Sequence, residues 1–64
     1  MTEFDVFRIE PDGAPLWVGP ADSLDAAKRR VRELLLQAAS AYLILNQKTG
    51  DKIAIRPDGQ EEFV

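Results

Sequence analysis

Residues 22–38 read Asp-Ser-Leu-Asp-Ala-Ala-Lys-Arg-Arg-Val-Arg-Glu-Leu-Leu-Leu-Gln-Ala, and this stretch decides the fold. Leu24, Ala27, Val31, Leu34, Leu35 and Ala38 recur at the i, i+3, i+4, i+7 spacing that lines one side of a helix, whereas Lys28, Arg29, Arg32 and Glu33 fall off that stripe. Either Asp22 or Ser23 can accept from the free N–H groups of the first turn, and Asp25 adds a negative charge favourable to the helix dipole there. The helix is expected to end near residues 37–39, although no glycine marks the stop. One apolar stripe calls for one sheet face to cover.

The flanking segments supply that sheet. On the N-terminal side, Phe4-Asp5-Val6-Phe7-Arg8-Ile9 and Leu16-Trp17-Val18 are rich in aromatic and β-branched residues, with Glu10-Pro11-Asp12-Gly13 between them as a hairpin turn. Pro15 and Pro20 bracket the second run, and neither can donate to a ladder, which suits an edge strand. On the C-terminal side, residues 41–47 (Ala-Tyr-Leu-Ile-Leu-Asn-Gln) and residues 51–56 (Asp-Lys-Ile-Ala-Ile-Arg) read as two strands joined by Lys48-Thr49-Gly50. Arg56-Pro57-Asp58-Gly59 then repeats the first turn. Residues 57–64 are accordingly a fifth strand or a frayed tail.

Register decides which side chains are buried. With three-residue bulged turns, Leu45 pairs with Ile53 and Leu43 with Ile55, Phe7 pairs with Trp17, and Ile53 pairs with Phe63. The helix is then expected to cover Leu43, Leu45, Ile53, Ile55, Phe7, Ile9 and Trp17. The opposite face carries Phe4, Val6, Leu16, Val18, Tyr42, Ile44 and Ala54. A two-residue Asp12-Gly13 turn exchanges Trp17 for Leu16 and Val18, but an apolar second face survives either choice. Exposed apolar patches of this kind mark interaction sites, so Phe4, Val6, Leu16, Val18, Tyr42 and Ile44 are the candidate interface of a homodimer or of a complex with another protein.

Composition bounds the alternatives. A chain of 64 residues buries only about 60% of the surface its unfolded form exposes, and such chains lean on disulfides, metals or association. With no Cys and no His, neither a disulfide nor a zinc site is expected, and no cofactor is implied. Catalysis needs a nucleophile with its base, or converging carboxylates. Serine stands only at Ser23 and Ser40, and the aspartates occupy turns, caps and strand ends, so the chain does not read as an enzyme. The opening residues lack the basic and apolar regions of a signal peptide and no run is long enough to span a membrane, so the expectation is a cytoplasmic protein.

The net charge of −3 argues against broad attraction to nucleic acid, yet Lys28, Arg29 and Arg32 form a local basic cluster that could contact phosphates. Trp17 and Tyr42 are possible base-stacking platforms, a role less common than core or interface anchor.

The order of strand, Pro-Asp-Gly turn, Leu-Trp-Val, Ser-Leu-Asp-Ala-Ala-Lys helix, Tyr-Leu-Ile-Leu and Lys-Thr-Gly-Asp-Lys resembles short bacterial proteins of ββαββ plan, a group that implies a fold but no activity. Ser23-Leu24-Asp25-Ala26-Ala27 is also similar to the helix opening of HicB-type antitoxin domains, although the Pro-Gly-Cys-type segment before that helix is missing. That likeness implies an antitoxin-like or nucleic-acid-binding alternative. The combined expectation is one α+β domain over residues 1–64, ββαββ(β), with one helix on one face of a four- or five-stranded, mainly antiparallel sheet.

Overall fold

A computed structural model describes residues 2–63. The chain runs β1 (Phe4–Ile9), β2 (Pro15–Ala21), α1 (Leu24–Gln37), β3 (Ala41–Asn46), β4 (Lys52–Ile55) and β5 (Glu61–Phe63). The five strands form one antiparallel sheet in the order β2-β1-β3-β4-β5. This is the α+β plan read from the sequence, with the fifth strand formed.

Ser23 starts the helix, its side chain accepting from the Ala26 N–H at 3.1 Å. The other end closes without glycine. Ala38 leaves the helix in an extended conformation (φ −151°) while its N–H still donates to the Leu34 carbonyl at 2.9 Å. Ala27 and Val31 are fully buried against the sheet, and Leu24, Ala26, Leu34 and Leu35 pack around them. Between its two ends the helix carries the chain from the β2 edge back across β1, so that β3 can pair with β1.

The first hairpin closes as read. Gly13 donates to Glu10 O at 2.8 Å, Glu10 N donates to Ala14 O at 2.9 Å, and Phe7 pairs with Trp17. Gly13 takes φ +89°, a conformation that a residue with a Cβ adopts only under strain. The same bonds recur at the other end of the chain. Gly59 donates to Arg56 O, Arg56 N donates to Gln60 O, and Gly59 has φ +92°. Asp12 and Asp58 each accept from the N–H two residues on, at 2.9 and 3.0 Å. Strand β2 extends past Pro20 to Ala21, farther than the proline bracket suggests, because the register shifts between Val6 and Phe7 and the strand resumes pairing as Val6 with Gly19 and Phe4 with Ala21.

The central hairpin departs from expectation, and the departure turns β1, β2 and β3 over relative to the helix while β4 keeps its expected face. Asn46 N donates to Asp51 O at 2.8 Å and Gly50 N to Asn46 O at 2.7 Å, enclosing the four residues 47–50 rather than three. The Asn46 side chain holds this longer loop, its Oδ1 accepting from Lys48 N at 2.9 Å and Thr49 N at 3.3 Å. Ile44 therefore pairs with Ile53 and Tyr42 with Ile55, not Leu45 with Ile53 and Leu43 with Ile55. A slip of one residue moves every side chain of a strand to the other face. The helix accordingly covers Val6, Tyr42, Ile44, Ile53 and Ile55, which form the core with Ala21, Ala27 and Val31. Phe7, Ile9, Trp17, Leu43 and Leu45, expected beneath the helix, lie on the opposite face.

The Tyr42 hydroxyl, buried with its ring, donates to the Ala38 carbonyl at 3.4 Å and so meets one of the unpaired acceptors at the helix end. Among the described residues no buried side-chain polar atom lacks a partner.

Candidate interaction surface

The candidate interface read from the sequence is displaced by that slip. Val6, Tyr42 and Ile44 are 0–1% exposed beneath the helix, and Phe4 and Val18 pack partly buried against the same core. Leu16 pairs with Arg8 on the helix side of β2 and is half exposed. Tyr42, enclosed in the core, offers no ring face for a base. None of these six residues lies on the uncovered face. That face is built from the alternate positions of the same strands.

Its register can be laid out in rows across the sheet. One row runs Trp17, Phe7, Leu43, Ala54 and Glu62. The next, toward the β3–β4 loop, runs Pro20, Asp5, Leu45 and Lys52, and Ile9 and Ala41 lie on the other side. Phe7, Ile9, Leu43 and Leu45 are half-buried by their neighbours alone, and Trp17 keeps 56% of its surface exposed. Trp17 is also fixed in place. Its indole Nε1 donates to Asp5 Oδ1 at 3.1 Å, while Gln47 Nε2 donates to Asp5 Oδ2 at 2.6 Å. With its polar edge satisfied, the ring presents apolar surface at little entropic cost, as aromatic anchors of interfaces do.

The basic helix cluster is divided by the fold. Lys28 Nζ pairs with Glu61 Oε1 at 2.8 Å and thereby ties α1 to β5. Arg29 and Arg32 are exposed on the outer side of the helix, in no ion pair among the described residues. Asp25 and Arg29, four residues apart on the helix, form no ion pair among the described residues. Leu36 is 89% exposed on the same helix, an isolated apolar residue of the kind any surface carries.

A cavity of about 350 Å³ opens where the start of α1 meets the sheet, lined by Phe4, Leu24, Ile44 and Ile53 with Asn46, Asp51 and Lys52. Its one amide and one acid are engaged in the loop, since Asn46 Oδ1 accepts from Lys48 N and Thr49 N and Asp51 Oδ2 accepts from Thr49 Oγ1 at 2.9 Å. Among the described residues no three potential metal ligands cluster, and no helix is long and apolar enough to cross a membrane. Sequence reasoning missed Asp5 as a site residue. Its signal was present, a lone acid in the strand Phe-Asp-Val-Phe, but it became meaningful only when register placed it beside Trp17 and Gln47.

Compared with known proteins, the chain matches no family model, no curated protein and no solved structure.

Proposed function

We propose that the protein is a small, non-catalytic interaction module that pairs with a second copy of itself through the uncovered sheet face. The observation that carries this reading is the contiguous surface of Phe7, Ile9, Trp17, Leu43 and Leu45 on a sheet whose single helix is spent on the other side. Apolar surface of this sort is favourable to remove from water, and sheet faces pack on one another about 10 Å apart.

The size of the face favours a second copy. The two longer extents of the molecule, 29 and 21 Å, bound it at about 600 Å² in projection, so two copies bury at most about 1,200 Å², which reaches the lower end of the range for specific interfaces. A domain of 64 residues without disulfides also gains stability by association. The cytoplasmic setting expected from the sequence belongs to the same proposal.

Sedimentation velocity across a series from nanomolar to high micromolar concentration tests it. A mass near twice the 7.1 kDa of the chain, falling to the single mass on dilution, is the expected result. A monomer throughout the series overturns the reading.

A further inference from the structure

We propose that the two copies pack about a twofold axis running along β3, so that Asp5 of each protomer meets the partner's Lys52. This inference rests on the self-association reading and adds the orientation.

Asp5 is half-buried, held on the open face by Trp17 and Gln47, and in no ion pair among the described residues. Lys52 is exposed and likewise in no ion pair. Both occupy the row of Leu45, with Asp5 on β1 and Lys52 on β4, one strand to either side of β3. Two strand spacings place their backbones about 10 Å apart with Leu45 between them, and the two side chains form no pair within the chain.

Rotation about β3 exchanges the two sides of the sheet. It lays β1 of one protomer over β4 of the other, within the same row. Each Asp5 then opposes a Lys52, giving two symmetric ion pairs at the rim. The same rotation sets Phe7, a large side chain, against Ala54, a small one, and places Leu43 and Leu45 against their own copies. Trp17 reaches the Arg56–Glu62 ion pair, closed at 3.3 Å, whose guanidinium can stack on the indole.

An axis across the strands performs worse on every count. It sets Lys52 against Arg56, two like charges, leaves Asp5 over Ile9, and opposes Ala54 to itself with a void between.

The experiment is a charge exchange read by sedimentation equilibrium, with folding of each variant checked by circular dichroism. Asp5→Lys and Lys52→Asp each place like charges at both rim contacts, and each is expected to weaken the dimer about tenfold. In an equimolar mixture, both charge contacts of the heterodimer again join Lys to Asp, and association is expected to be several-fold tighter than that of either variant alone, though short of the original because Asp5→Lys has lost the acceptor for Trp17 and Gln47. Failure of the mixture to recover overturns the proposed pairing, and so does a dimer indifferent to both substitutions, while in either case the self-association reading stands. A monomeric parent protein overturns both.

Should Asp5→Lys not fold, a crosslinking measurement decides the orientation without it. The chain has no cysteine of its own, so Lys48→Cys provides a single thiol at the exposed tip of the β3–β4 loop. With the axis along β3 the two tips lie on the same end of the dimer, about 10 Å apart, and a bismaleimide of that length joins them in high yield. With the axis across the strands they lie at opposite ends, and the absence of crosslinked dimer overturns the proposal.

Discussion

Leu43 and Ile44 are neighbours in sequence on opposite faces of the sheet, and truncating each to alanine removes the same three carbons. Ile44 is 1% exposed, packed between Val6 and Ile53 beneath the helix. Its loss combines the transfer free energy of the missing carbons with a cavity that a tight core cannot close, together about 3 kcal/mol. A domain of this length has a total stability of roughly 3–10 kcal/mol, so Ile44→Ala removes a third of it or more. With a urea slope near 1 kcal/mol/M for so small a protein, the unfolding midpoint falls by about 3 M. Leu43 is half-buried in the protomer and borders Phe7 and Ala54 on the open side. Leu43→Ala is expected to lower the midpoint of the monomer by only about 1 M, yet to raise the dissociation constant of the dimer at least tenfold, because in the proposed pairing the residue meets its own copy on the axis. Urea melts at several protein concentrations separate the two effects, since linkage to dimerisation makes the midpoint concentration-dependent. Equal midpoint shifts for the two variants, or a larger shift for Leu43→Ala at the lowest concentration, would refute the assignment of faces.

Two further outcomes follow from the ends of the helix and its tie to the tail. Ser23→Ala removes the oxygen that receives the Ala26 N–H and is expected to cost about 1 kcal/mol, which thermal melting followed by circular dichroism records as a drop of roughly 5 °C; an unchanged melt assigns the cap elsewhere. Lys28→Gln breaks the pair to Glu61, whose partners are partly exposed, so global stability changes by less than about 1 kcal/mol, but the amides of β5 exchange with deuterium several-fold faster than those of β1 and β3. Uniform acceleration across all five strands would show that the pair supports the whole fold instead.

Much of the fold is legible before the structure, and the failure is confined to one loop. The helix announces itself through Leu24, Ala27, Val31, Leu34 and Leu35, and the first hairpin through a proline, an aspartate and a glycine at positions that each require that residue type. The repeat at residues 56–59 makes a fifth strand readable by the same chemistry but leaves it open against a frayed tail, and the structure forms the strand. The face of β3 is a different matter. Tyr-Leu-Ile-Leu has apolar residues at both alternate sets of positions, so periodicity cannot say which set is buried. Only the loop length decides, and the decisive group is Asn46, whose side chain accepts two backbone N–H groups and so encloses four residues instead of three. Asparagine at a strand end followed three and four residues later by threonine and glycine is a readable sign of that loop. The predicted interface inherited the error, since Val6, Tyr42 and Ile44 are apolar and alternate correctly but on the wrong side. Asp5 illustrates the remaining limit. Its role depends on Trp17, twelve residues away, and on Gln47, forty-two away, and such long separations are set by sheet order rather than by local pattern.

The two margins of the sheet bear on how far assembly can go. Strand β2 carries Pro15 and Pro20 and is interrupted by a bulge, and β5 is only three residues long, with Glu61 and Glu62 along it. Missing donors, broken repeat and negative charge all discourage a further strand from adding there. A protein that is blocked laterally but apolar on one broad side can grow in a single direction, and the first contact uses that direction up. On the proposed pairing, the result is a closed particle of fixed stoichiometry rather than a fibre, so concentration is expected to raise the fraction of paired molecules without raising their size.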